Sequence, residues 1–336
     1  MRVFLYLAMI VVATASTLGV ALLVALQLHD AARWLVVATA SSSPFLVMGP
    51  VVVGSLAAYW DHRSSTDGRR YLGWWFLGVV LVDVVAAVFI VLATISARGP
   101  VWVPVVVIGG AAVLLAVARP LGAVFRRTEP PIADHGDTVP GADAVRRKVR
   151  RITVTFVIAV VVSTIGVTLL AILGGDRGGD LLQDVLSAGQ LTFTATAVAT
   201  VYAALPLNRA LRDTGGRDVG RLRRFAKVVL RGKELPLDPA EERGAVQYAR
   251  LVPLAMRFQM AFIGLLYLAL TFQFVSASLR GILGWLPDVY LAFLVLVVVW
   301  LVPVTIRRMR RARAYVAQHA DAALWTLDDG APAQPH

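Results

Sequence analysis

Cysteine is absent from all 336 residues, which excludes disulfides, thiolate metal sites and cysteine nucleophiles. Lysine is nearly absent too. Lys148, Lys227 and Lys233 are the three in the chain, and the basic charge is otherwise arginine. Charged residues of either sign make up 16% of the chain, against roughly 25% in soluble domains. Catalytic signatures are missing. Gly232-Lys233 is followed by Glu234 and lacks the upstream glycine of a phosphate loop, and neither H-E-x-x-H nor G-x-S-x-G occurs. The histidines (His29, His62, His135, His319 and His336) stand singly in loops and tail, a pattern that offers no metal site. The expectation is a chain that is no enzyme and needs no cofactor or bound metal.

Apolar side chains fill the space that charge leaves. They are 58% of the residues, with mean hydropathy +0.71, far more than a soluble core of this size requires. A membrane helix needs about 20 apolar residues. Eight uncharged runs meet that length: Val3 to Leu28, Trp34 to Trp60, Tyr71 to Ala97 with Asp83 inside it, Gly99 to Ala118, Ile152 to Gly175, Val185 to Asn208, Phe258 to Leu279, and Val289 to Ile306. The last is the shortest and carries Pro303. The first is about twice the length of a signal-peptide core and has only Arg2 before it, so it reads as a retained helix. The fold class expected is therefore all-α, a polytopic membrane bundle of about eight helices.

A net charge of +12 raises the question of nucleic acid, and placement answers it. Alternate loops carry the single arginines Arg33, Arg98, Arg177 and Arg280, while the other loops and the two ends carry 28 of the 33 basic residues, Arg257 being set aside at a helix start. This is the positive-inside pattern of a chain with both termini in the cytoplasm, and nucleic acid is not an expected partner. Trp34, Trp60, Trp74, Trp75, Trp102, Trp285 and Trp300 all fall near span ends, where indole favours the headgroup region. An arginine-, alanine- and valine-rich composition points to a GC-rich bacterial genome, hence to a bacterial plasma membrane.

The chain divides into a first four-helix half (1–127), a polar linker (128–151), a hairpin (152–208), a basic loop (209–250), a second hairpin (251–308) and a basic, then flexible tail (309–336). Ser16 to Leu26 (STLGVALLVAL) and Ser163 to Leu173 (STIGVTLLAIL) match at seven of eleven positions. In a chain this rich in Ala, Val and Leu, chance can supply such a match. As a duplication it would make two parallel four-helix halves. Within the basic loop, Val219, Leu222, Phe225, Ala226, Val229 and Leu230 recur at helical spacing between Arg221, Arg223, Arg224, Lys227 and Arg231. Such a helix suits the anionic lipids of the inner leaflet, or packs on the protein's own loops. Asp238-Pro239-Ala240-Glu241 then carries a capping residue, Pro at the first helical position and Glu at the third. It predicts a helix running towards Pro253.

Polar residues inside the spans are the candidate site. Asp83 sits mid-helix, where a carboxyl costs about 2.5–3.5 kcal/mol and usually faces a bundle interior or a water-filled cavity. Its plainer role is a neutral acid bonded across helices. Ser41, Ser42 and Ser43 precede Pro44 in the second span, and Pro in a membrane helix frees carbonyls that hydroxyls or water must satisfy. Thr192, Thr196 and Thr200 form a stripe at i, i+4, i+8 with Gln190 above, a spacing that favours close helix packing. Arg257 opens the seventh span and reads as snorkelling to headgroups. Asp30, Asp176, Asp180, Asp184 and Asp288 lie on or near the external face and read as solvated loop residues. An intramembrane acid points to a carrier of a small solute, ion or lipid. Basic amphipathic inner loops point to an accessory subunit that docks a cytoplasmic protein. The carrier is the leading expectation.

Overall fold

The computed structural model describes residues 2–28, 30–61, 66–127, 141–173, 181–281 and 284–319. Residues 174–180, most of the stretch read as linker (128–140) and the residues beyond 319 lie outside the described residues. Among those described, every regular element is a helix: α1 (Arg2–Gln27), α2 (Arg33–Tyr59), α3 (Thr66–Ser96), α4 (Trp102–Arg127), α5 (Ala142–Leu173), α6 (Leu181–Asp213), α7 (Val219–Arg231), α8 (Pro239–Leu279) and α9 (Leu286–Gln318). Seven of them, all but α1 and α7, are long and apolar enough to cross a membrane. α1 has the length of a span at 26 residues. The chain is a multi-pass helical membrane protein, and the apolar runs mark where its long helices lie.

The helices form two compact units. The first holds α1 to α4 together with residues 217–220. α2 is its hub, packing on α1, α3 and α4. The α2–α4 contact is made by glycine. A Cβ added at Gly122 would lie 2.5 Å from the Gly54 carbonyl oxygen and 2.9 Å from Ala57 Cβ. Absent side chains thus bring the two backbones together, the membrane solution where apolar burial from water supplies no drive. Leu46, Ala86, Ile90, Val107 and Ala111 fill the space between α2, α3 and α4. At the arginine-rich end of this unit, Arg126 of α4 donates to the Trp60 carbonyl at 3.3 Å and approaches Asp61 at 3.5 Å. A cation there complements the C-terminal end of α2.

The second unit holds the remaining helices. α5 packs on α6, α6 on α8 and α8 on α9, with α6–α8 the most extensive. Phe156, Phe193 and Phe272 stack in sequence across α5, α6 and α8, with ring centroids 5.9 and 5.5 Å apart. Phe272 lies where a Cβ at Gly189 would be, 2.6 Å away, so Gly189 gives the ring its seat.

Three expectations need correction. α5 begins at Ala142, so the last part of the stretch read as linker, 142–151, is helix carrying Arg146, Arg147, Lys148, Arg150 and Arg151. The helix opening at Pro239 does not end near Pro253. It continues to Leu279 as one element of 41 residues, about 61 Å at 1.5 Å per residue, twice the hydrocarbon thickness of about 30 Å. Pro253 removes one hydrogen bond but both flanks are held. Val252 and Ala249 pack on α7, while Leu251, Ala255 and Phe258 pack on Ala204 and Leu207 of α6. Nor does Asp238 cap with its side chain. Glu242 N–H reaches the Asp238 backbone oxygen at 2.8 Å, and Glu241 turns instead to arginines of α7.

Candidate functional site

α3 places Asp83 near its middle, between exposed and packed residues. Val82, Val84 and Val85 are 42%, 54% and 47% exposed, while Ala86 and Ile90 are fully buried. The carboxyl oxygen Oδ1 of Asp83 is itself buried and has no hydrogen-bond partner among the described residues. It lies against α2 at Gly49, where an added Cβ would be 3.3 Å from Oδ1 and 2.7 Å from Val79 Cγ1. The next residue on α2 is Pro50, also buried. Gly49 thus forms the wall of the site, and its missing Cβ gives the carboxyl its room.

The serines lie on the same helix but serve the other proline. Ser43 donates to the Ala40 carbonyl at 3.4 Å, an acceptor for which Pro44, four residues on, has no N–H to give. Ser42 donates to the Thr39 carbonyl at 3.4 Å, and Thr39 crosses to α3, donating to the Phe89 carbonyl at 3.2 Å. Ser41 is exposed. These bonds keep α2 helical through Pro44, so the Ser-Pro cluster forms no break. What the structure sets beside Asp83 is Gly49, not Ser41 to Pro44.

The other intramembrane candidates belong to the second unit. Thr192, Thr196 and Thr200 are buried at 4%, 2% and 0% exposure. Thr196 and Thr200 donate to carbonyls one turn back, at 2.8 and 2.9 Å, and Thr192 shares a 2.7 Å hydroxyl contact with Ser163 of α5. Every hydroxyl of the stripe is hydrogen-bonded, and the Thr192–Ser163 contact joins α6 to α5. Gln190 is partly buried, its carbonyl accepting from Thr194 at 2.8 Å. Arg257 is exposed on α8.

On the arginine-rich side of this unit, α7 spends its apolar face on protein. Phe225, Val229 and Leu230 join Ala245, Tyr248, Ala249 and Val252 of α8 and Ala312 of α9 in one cluster. That face is unavailable to lipid, which removes the interfacial-helix geometry read from the spacing. Arg221, Arg223, Arg224, Lys227 and Arg231 remain exposed. Arg224 meets Glu241 at 2.6 Å and Arg221 approaches it at 3.9 Å. Arg311 of α9 donates to the Leu230 and Arg231 carbonyls at 3.4 and 3.3 Å, completing the C-terminal end of α7.

Sequence reading missed Glu241 as an arginine partner, Arg212, which is 2% exposed and paired with Asp213 at 2.8 Å, and the Gln183–Ser276 bond at 2.5 Å between α6 and α8. Only contacts reveal these roles. Gly49-Pro50 had a signal, a glycine before a second proline in one span. Among the described residues no group of three or more His, Asp or Glu could hold a metal. The chain matches no family model, and no match is found among curated proteins or solved structures.

Proposed function

We propose that the protein carries a small solute, ion or lipid across a bacterial plasma membrane, with both termini in the cytoplasm and Asp83 as the group that couples carriage to a proton or cation. One observation carries this reading: a carboxyl oxygen buried mid-span without a partner, set against a glycine–proline turn of α2. Packing alone would be served better by an apolar residue, since an unmatched polar group costs more in lipid than in water. No nucleotide-binding motif is present, so the energy would come from an ion gradient or a separate ATPase.

Asp83→Asn keeps shape and hydrogen-bonding capacity but cannot ionise. In a host lacking the gene, the Asn variant is expected to express at the wild-type level and fail to restore the deletion phenotype. Full restoration would leave Asp83 a packing residue.

A second reading is favoured by the layer of α7 with the ends of α8 and α9. It has its own apolar core and an exposed basic face, which suits an accessory subunit that docks an acidic cytoplasmic protein or the anionic headgroups of the inner leaflet. Replacing Arg223, Lys227 and Arg231 by Glu would then abolish function while Asp83→Asn spares it. Loss of function on the opposite variant separates the two readings.

A further inference from the structure

The seam between α2 and α3 leaves one hydrogen-bonding problem on each side, and both fall at one place. On α3 it is Asp83 Oδ1, buried and without a partner. On α2 it is the Leu46 carbonyl. A helical carbonyl accepts from the N–H four residues on, and here that residue is Pro50, which has none. Cα–Cβ bonds tilt towards the helix N-terminus, so the Cβ position of Gly49 overhangs the turn containing Leu46. Asp83 Oδ1 lies 3.3 Å from that position. The carboxyl therefore stands beside the turn whose acceptor Pro50 leaves open. α2 answers its other proline in the same manner, with the Ser43 hydroxyl on the Ala40 carbonyl.

We propose that Asp83 carries a proton and donates it to the Leu46 carbonyl, making a proton-binding latch between α3 and the Pro50 turn of α2. A carboxylate and a bare carbonyl are both acceptors, and in apolar surroundings neither has anything to accept. One proton satisfies both. The helices packed around the site supply no competing cation. Between Arg33 and its end at Tyr59, α2 has no charged residue, and α1 has only Arg2 at its start. α4 carries Arg119, Arg126 and Arg127. Arg126 is engaged with Asp61 and Trp60. Arg119 lies over the Phe76 ring at 3.9 Å, two turns along α3 from Asp83, a rise of about 10 Å. On α3 itself Asp67, Arg69 and Arg70 lie in the first turns.

Release breaks the Asp83 O–H bond, leaves the electron pair on the carboxylate and passes the proton to water. It leaves α2 unlatched at Gly49-Pro50. As the step at which a carrier takes up and gives back its coupling proton, the latch rests on the transport reading. Its existence is tested without transport.

The test is a double-mutant cycle on the purified full-length protein in lipid nanodiscs, read by thermal unfolding. Asp83→Leu should lower Tm, because the Leu46 carbonyl is left bare. Pro50→Ala restores an N–H to that carbonyl, so adding Asp83→Leu to it should cost much less. Asp83→Asn should keep the wild-type Tm, since its amide donates in place of the acid. Additive effects, or an Asn variant as unstable as the Leu variant, would overturn the latch. If Asp83→Leu does not accumulate, infrared difference spectra of wild type minus Asp83→Asn decide. A protonated-carboxyl band supports the latch, and its absence sinks it. A non-additive cycle in a protein whose Asp83→Asn variant still restores the cell phenotype would keep the latch and remove transport.

Discussion

At the scale of single residues, glycine decides more than charge. Gly122 sits where any side chain would enter the Gly54 carbonyl and the Ala57 methyl. Gly122→Leu must push α4 off α2, and overpacking a filled site costs typically about 1–3 kcal/mol, more when backbone has to move. The variant is expected to unfold at a clearly lower temperature in detergent than Gly109→Leu, since a Cβ at Gly109 meets nothing within 4 Å. Equal Tm values for the two would mean that α2 and α4 do not cross there. Asp83 stood out in the sequence because an acid in an apolar run has few explanations. Its pairing with Gly49 was not legible, since nothing in a linear string sets residue 83 against residue 49. The threonine stripe was legible as packing because i, i+4 spacing forces one face. Which hydroxyl it would meet, Ser163, was not.

Among the elements, α7 shows how far periodicity carries and where it stops. The spacing of Leu222, Phe225, Val229 and Leu230 gives a helix with one apolar face, but the same face fits a lipid surface or a protein groove. The apolar positions Ala245, Tyr248, Ala249 and Val252 on α8 decide it, and only the folded chain puts them opposite. Two forces hold α7 there, and their sizes differ. Arg224–Glu241 is an ion pair with the arginine side chain 47% exposed, worth at most about 1 kcal/mol once screened. Phe225 is 1% exposed, and truncating a buried Phe costs about 3–5 kcal/mol. Phe225→Ala should therefore free α7 from the layer and speed tryptic cleavage at Arg231 and Lys233. Glu241→Gln should change the cleavage rate little. A Gln variant cleaved as fast as the Ala variant would place the ion pair ahead of the core. The membrane fraction should hold both variants, because the apolar stretches of the spans are untouched.

The whole molecule is organised by where its long helices end. Four helices of the second unit exceed thirty residues, with α5 at 32, α6 at 33, α8 at 41 and α9 at 33, whereas about 20 suffice to cross. Their surplus lies at the arginine-bearing ends, where α7 completes a helical layer. α2 and α4 pack directly in the first unit, while in the second α9 packs on α8. The two units thus use different packing orders, which the match between Ser16–Leu26 and Ser163–Leu173 does not foretell. Orientation follows from the same ends. Basic residues resist translocation, and all but four fall in one alternate set of loops and ends when Arg257 is set aside, which is the ground of the proposed orientation. Reporter fusions at Asp67, Gly232 and His319 are expected to read cytoplasm, and fusions at Asp30, Arg98 and Arg280 the exterior. Asp67, Arg98 and Arg280 each stand at a helix end or in a described turn. Asp30 and Asp67 flank α2, and Gly232 and Arg280 flank α8. Two fusions flanking one helix that report the same side would show that this helix does not cross. For α8 that result would place its surplus length in the membrane plane, and the arginine-rich layer would lose its common side.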